Sequence, residues 1–164
     1  MAKAQPLPPV GRVRELLNYD PETGVLTWRV ARRGTAAGAV AGSLNRVGYI
    51  YVVVDGTRCL SHRLAWLLAT GSDPAPSEID HRDGDRSNNR LDNLRPASRA
   101  ENNRNRKPTG RYLKGVGRTT SGRFQARIKA PHYLYLGTFD TELEAHAAYA
   151  AAAHHHFGEF ANVG

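Results

Sequence analysis

Cysteine occurs once in the 164 residues, as Cys59, so the chain can close no internal disulfide and can build no thiolate zinc cage. A reducing compartment is the natural setting for such a chain, and Cys59 reads as a small buried hydrophobe. Long apolar runs are missing too. No stretch approaches the roughly 18 residues that a membrane-spanning helix needs, and the N-terminus has no signal-peptide core. The expectation is a soluble, cytoplasmic protein with no membrane partner. Acidic residues are scarce in one place above all. Between Arg95 and Lys129 eleven lysines and arginines stand against a single acid, Glu101, while the rest of the chain is slightly acidic. The overall charge of +8 is therefore concentrated in one window. That concentration is the electrostatic footprint of a nucleic-acid partner rather than of an evenly solvated basic surface.

The densest chemistry lies just before and inside that window, in Glu78–Arg106 (EIDHRDGDRSNNRLDNLRPASRAENNRNR). Ile79-Asp80-His81 has strand character, and a turn-rich polar loop follows through Asp83-Gly84-Asp85 and Asn88-Asn89. Leu91 and Leu94 supply apolar anchors. A helix then starts at Ser98, where Ser98 and Glu101 have capping-box spacing and Pro96 lies just upstream. Asp80 offers a hard oxygen ligand, His81 a base that titrates near neutral pH, and Asn102 a neutral amide oxygen. Mg²⁺ suits so sparse a donor set, because it keeps several waters and is held by one or two protein oxygens plus substrate phosphate. Successive residues of a strand point to opposite faces, so Asp80 and His81 can serve one centre only if the strand ends or twists there. The Gly- and Asp-rich turn permits that.

In their context (I-D-H-x-D-G-D, then N-N-R-L-D-N-L-R, then E-N-N), Asp80-His81, Asn93 and Asn102 resemble the HNH nucleases of the ββα-metal type. The similarity is to the variant of phage and intron-encoded homing endonucleases in which the last histidine is asparagine. The resemblance implies that His81 is the general base activating the attacking water and that Asn93 orients His81 and fixes the loop. It implies further that Asp80 and Asn102 hold the metal, Mg²⁺ or Mn²⁺. A cytoplasmic protein encoded by a phage or mobile element is the setting it implies.

Upstream, residues 1–10 are expected to be disordered. A short helix is expected around Val13–Leu17, and the turn Asn18–Gly24 leads into a strand at Val25–Trp28. Arg29, Arg32 and Arg33 precede a Gly/Ala stretch, 34–42, that reads either as a solvated loop or as a loop lying along a phosphate backbone. Gly48–Val54 is a strand, Asp55-Gly56 a hairpin turn, and Thr57–Leu60 the returning strand. Ser61 can cap a helix that carries His62 and ends at Gly71. The layout G-Y-x-x-V, H-R-L-A-W, I-D-H extends the resemblance back to about Tyr19. His62 could approach the phosphate or could pack with a hydrogen bond.

Downstream, 108–114 looks like a linker, followed by strands near 115–118, 122–129 and 133–139. In the second of these, Phe124, Ala126 and Ile128 alternate with Arg123, Gln125, Arg127 and Lys129, giving one apolar and one basic face. A helix over Thr141–Phe157 starts with Thr141 and Glu144 in capping-box spacing. His154–His156 lie on it at consecutive positions, which face different directions and do not share a metal. Gly115-Val116, Gly122-Arg123-Phe124, Leu136–Thr141, Ala148-Tyr149 and Phe157–Asn162 resemble the APETALA2/ethylene-response-factor DNA-binding domain. In that family the sheet enters the major groove. By position the contact candidates are Arg118, Arg123, Arg127 and Lys129, to which Arg99, Arg104, Arg106 and Lys107 of the basic window add phosphate contacts.

The expected fold class is α+β: a ββα-metal nuclease core (60–107 within 11–107) preceded by a small hairpin and helix region. A three-stranded antiparallel sheet packed on one helix (115–164) follows it. The expected function is metal-dependent hydrolysis of phosphodiester bonds in double-stranded DNA. The alternatives are a DNA-binding regulator with an inactive core and, less well matched to the acidic centre, a structural RNA-binding protein. Nothing in the residues decides between monomer and homodimer.

Overall fold

The structure, a computed structural model, describes residues 5–107, 110–130 and 132–164. The chain divides into two compact units, Met1–Arg99 and Ala100–Gly164. The linker expected at 108–114 lies downstream of this division, and its residues 108 and 109 fall outside the described residues.

The first unit runs α1 (Val10–Leu16), β1 (Leu17–Tyr19), β2 (Leu26–Trp28), β3 (Ser43–Leu44), β4 (Ile50–Val54), β5 (Thr57–Leu60) and α2 (Ser61–Thr70). It closes with β6 (Glu78–His81), a 3₁₀ turn at Leu91–Asn93 and β7 (Leu94–Ala97). Its sheets are β1-β2, β3-β4-β5 and β6-β7, all antiparallel. Between β4 and β5, Asp55 and Gly56 both have positive φ (46° and 78°), the two-residue turn whose twist matches the flanking strands. Val13, Leu17, Leu26, Val52, Val54 and Leu64 are fully buried and form the core that α1 and α2 cover. A smaller cluster of Ala65, Ile79 and Leu94, with Tyr19 and Trp66 against it, seats the β6-β7 hairpin on α2 and β1.

Three expectations are corrected here. The described part of the N-terminal segment is engaged, because Leu7 and Val10 pack on the core and the Arg63 guanidinium donates to the Gln5 carbonyl at 2.7 Å. The stretch 34–42 is a docked third layer of backbone beside β2. Trp28 N–H donates to the Ala39 carbonyl and Ala41 N–H to the Leu26 carbonyl, and Ala41 is buried. Arg32 lies over the Trp28 ring at 4.0 Å and donates to the Val53 carbonyl, so the fold itself uses that arginine. Ser61 is not a cap. Leu60 is the N-cap of α2, and Ser61 is its buried first residue. The helix ends as expected at Gly71, in the left-handed conformation.

The second unit holds most of α3 (Arg99–Arg104), then β8 (Val116–Arg118), β9 (Phe124–Lys129), β10 (Tyr133–Phe139), α4 (Glu142–Phe157) and a 3₁₀ turn at Gly158–Phe160. The sheet order is β10-β9-β8, antiparallel, with a bulge between Tyr135 and Gly137. Thr141 and Glu144 form a reciprocal capping box at the start of α4. Ala145, Tyr149 and Ala153, four residues apart, form the buried stripe of α4, and Tyr149 and Ala153 cluster with Ile128 of β9. The reason α3 clusters with this unit is visible at its C-terminus. Lys114 Nζ donates to the Arg104 and Arg106 carbonyls at 2.6 and 2.7 Å, and the Arg104 guanidinium lies 4.7 Å from the Phe157 ring centre.

Gly115 has φ +79°, and a Cβ there would sit 2.0 Å from the Tyr149 ring. Gly115→Ala is therefore expected to destabilise the second unit by about 1–3 kcal/mol, the usual range for overpacking. A fall in the urea midpoint is the expected reading; an unchanged midpoint would contradict the Gly115–Tyr149 packing.

Candidate active site

The β6-β7 hairpin sets the site, and its register decides which side chains meet. Asp80 lies directly opposite Arg95, and directly opposed residues share a face. Arg95 Nε and Nη2 both donate to Asp80 Oδ2, at 2.9 and 2.8 Å. Both residues are buried, at 3% and 4% exposure. Arg95, counted in the basic window, is thus withdrawn from the surface and spent on Asp80.

His81 is the last residue of β6 and turns to the other face. Its ring meets His62 of α2 edge-on at 5.0 Å between centres, and Tyr49 lies 6.3 Å away. His81 Nε2 is 3.1 Å from Asn89 Oδ1. The residue is 4% exposed. Burial pushes its pKa below the usual 6.5, and the Asn89 hydrogen bond and nearby carboxylates oppose the shift. His62 is buried more completely. Desolvation first, and then the charge His81 would carry, lower its pKa to about 3. Its placement against Tyr49 and His81 is the packed one of the two expected roles.

A buried neutral histidine makes the fold acid-sensitive in a defined direction. The unfolded chain protonates His62 near 6.5 and the folded chain only near 3, so the unfolded state binds more protons throughout that window. Stability is expected to be full above pH 6.5 and to fall as the pH is lowered towards 3. Urea titrations of His62→Phe at pH 7 and pH 4.5 should show a shallower loss than wild type. Parallel losses would assign the acid limb to other groups.

The loop between the strands is stapled by Asn93. Its Oδ1 accepts from Asp83 N–H at 3.1 Å, and its Nδ2 donates to Asp83 Oδ1 at 3.0 Å and to the Asn88 carbonyl at 2.8 Å. Asn88 Nδ2 donates to Asp83 Oδ2 at 2.7 Å, and Gly84, at φ 70°, turns the chain so that its N–H reaches the His81 carbonyl. Asn89, which sequence reasoning took only as turn chemistry, places its Oδ1 within hydrogen-bond distance of His81 Nε2. Nothing in the sequence separates Asn89 from Asn88. Burial does: Asn89 is 1% exposed, and its Nδ2 finds no partner among the described residues. An unpartnered buried donor costs about 1–3 kcal/mol.

Asn102, the other expected ligand, is a half-buried residue of α3 and belongs to the second unit. Among the described residues no three of His, Cys, Asp or Glu cluster as a metal cage. A carboxylate oxygen and an amide oxygen are hard donors of the kind that Mg²⁺ and Mn²⁺ take.

In the second unit, register gathers a polar face on the sheet. Lys129 lies opposite Tyr133 and Arg127 opposite Tyr135, on the face that also carries Gln125 and Thr138. Tyr133 is 75% exposed and Tyr135 62%, and neither had been singled out from the sequence. Lys129 Nζ is 5.4 Å from the centre of the Tyr133 ring. Arg123 is paired with Asp140 at 2.8 Å. Arg118 lies opposite Phe124 and so on the helix side of the sheet, where it donates to the Gly122 carbonyl. Arg99, Arg106 and Lys107 are exposed, and Arg104 is half-buried against Phe157. No helix among the described residues is long and apolar enough to cross a membrane.

Residues 59–104 match the family model described as HNH endonuclease. The matched segment runs from the end of β5 through α2, the β6-β7 hairpin and α3, and this part of the chain is therefore similar to an HNH endonuclease domain. No curated protein and no solved structure matches the chain.

Proposed function

We propose that the chain is a metal-dependent DNA endonuclease of the HNH homing type whose general base is His81. The observation that supports this best is the setting of His81: a neutral imidazole at the end of β6, hydrogen-bonded by Asn89, above a loop that Asn93 staples. In the proposed reaction His81 takes a proton from the water that attacks the scissile phosphorus. Asp80, and by its spacing in the sequence Asn102, would hold Mg²⁺ or Mn²⁺, which supplies charge stabilisation at the leaving 3′ oxygen. Arg95 fixes the direction of the Asp80 carboxylate through its two hydrogen bonds, and Asn93 holds the loop in one shape. Affinity would come from phosphate contacts by Arg99, Arg104, Arg106 and Lys107. The Arg127–Lys129–Tyr133–Tyr135 face of an APETALA2-like sheet would join them, and such binding weakens steeply with salt. The setting this reading implies is cytoplasmic, in a phage or mobile element.

A second reading, a DNA-binding regulator with an inactive core, is favoured by the burial of Asp80 and His81. Supercoiled plasmid separates the two. The nuclease reading expects open circles with Mg²⁺ or Mn²⁺ and none with chelator. The regulator reading expects a gel shift with the plasmid left supercoiled.

A further inference from the structure

We propose that the exposed face of the β8–β10 sheet holds an unpaired strand of DNA, with two successive bases stacked on Tyr133 and Tyr135 and the phosphates beside them met by Lys129 and Arg127. The choice of DNA over RNA rests on the proposed function; the choice of an unpaired strand over a duplex rests on the geometry of the face. Tyr133 and Tyr135 are two residues apart on β10, an edge strand, so they leave the same side of the sheet. Both are strongly exposed, and large aromatic rings standing in water on a folded sheet are surface for a partner to cover. Register puts Lys129 opposite Tyr133 and Arg127 opposite Tyr135, and Gln125 and Thr138 complete the paired positions of this side. None of the six is acidic, and Asp140, just beyond β10, is paired with Arg123 at 2.8 Å. The face therefore complements a polyanion.

What the tyrosines offer is their rings. Tyr135 Oη is hydrogen-bonded with Thr138 Oγ1, which engages the hydroxyl within the sheet. Arg127 Nη2 donates to Gln125 Oε1 at 2.7 Å, which holds the guanidinium on the same side, and Lys129 Nζ lies 5.4 Å from the centre of the Tyr133 ring. An aromatic ring stacks on the flat face of a base, and in a duplex those faces are covered by the neighbouring base pairs, so that the grooves present base edges. The spacing agrees. Side chains two residues apart on a strand stand about 6.6 Å from each other, roughly twice the step of about 3.4 Å between stacked bases. Two rings so placed fit two bases of an extended strand that has come unstacked, with a cation beside each ring for its phosphate.

The test uses the full chain in chelator, so that no strand is cut, and reads the fluorescence anisotropy of labelled oligothymidylate, a duplex of the same length and oligouridylate. Tyr133→Ala and Tyr135→Ala should each weaken binding of oligothymidylate by about 5- to 150-fold, the range for losing one base–aromatic stack, and leave duplex binding unchanged. Tyr135→Phe, which keeps the ring and loses the hydroxyl, should bind like wild type. Lys129→Gln should lower the slope of log affinity against log salt by about 0.7 on the single strand. If an alanine variant does not fold, the wild-type chain provides the test: oligothymidylate carrying iodouracil should photo-crosslink to the peptide that holds Tyr133 and Tyr135. Crosslinking elsewhere overturns the inference. So do equal losses on duplex and single strand, which would make this a duplex-binding face, and tighter retention of oligouridylate, which would make the partner RNA. Unchanged affinity in both alanine variants also overturns it and leaves the face to a protein. Plasmid nicking with Mg²⁺ or Mn²⁺ is scored separately. A chain that holds oligothymidylate through its tyrosines but never nicks removes the nuclease reading and leaves this face its role. Nicking by a chain whose tyrosine variants hold oligothymidylate as well as wild type removes this inference alone.

Discussion

His81→Ala is expected to lose plasmid nicking by on the order of 10²- to 10⁴-fold, the range that a positioned general base contributes. Affinity for DNA should be untouched, because the basic residues that would carry it lie elsewhere. The substitution also removes a buried ring from contact with His62 and Asn89, so the variant must be shown to be folded at the assay temperature. The vacated space offers a second reading. Added imidazole should restore part of the activity of His81→Ala and none of that of Asp80→Asn. Full activity in a folded His81→Ala protein would remove His81 as the general base.

The second large effect concerns stability. Asp80 and Arg95 are a buried pair, and removing one partner leaves an uncompensated charge in the interior. Arg95→Leu is expected to cost about 3–5 kcal/mol. Adding Asp80→Asn should return most of that loss, because no charge is then left behind, and the double variant should approach wild type in its urea midpoint. Activity should not return with it, since the carboxylate proposed to hold the metal is gone. The split between the two readouts is what identifies Asp80 as more than half of a structural pair. If the double variant regained nicking together with stability, Asp80 would be no metal ligand.

Much of the architecture could be read from local chemistry. The Asp55-Gly56 turn, the glycine stop of α2 and the Thr141–Glu144 start of α4 each depend on residues a few positions apart, and all stand where expected. So does the alternation of β9, whose apolar residues face α4. What could not be read depends on register and burial. Asp80 and Arg95 are fifteen residues apart and meet only because the hairpin aligns them. Tyr133 and Tyr135 join the basic face through their pairing with Lys129 and Arg127. Asn89 and Asn88 are neighbours of identical composition, and only the packing of residues 19–24 against the loop drives one of them inside. The 34–42 stretch looked like a loop because small residues give no periodic signal, although its backbone pairs with β2.

The quartet Asp80, His81, Asn93 and Asn102 stood out from spacing and resemblance. The structure adds that His81 is buried, that burial lowers its pKa, and that its Nε2 lies within hydrogen-bond distance of Asn89 Oδ1. It also places Asn102 on α3, in the second unit.

Paramagnetic broadening by Mn²⁺ asks most directly whether the acidic hairpin is a metal centre. Mn²⁺ would be added at well below one equivalent to the ¹⁵N-labelled full chain, and each amide signal followed. Signals of Asp80 and His81 should fade first and together, and Asp80→Asn should abolish the effect. Broadening confined to the exposed Asp83–Asp85 turn or to His154–His156, with Asp80 and His81 sharp throughout, would contradict it.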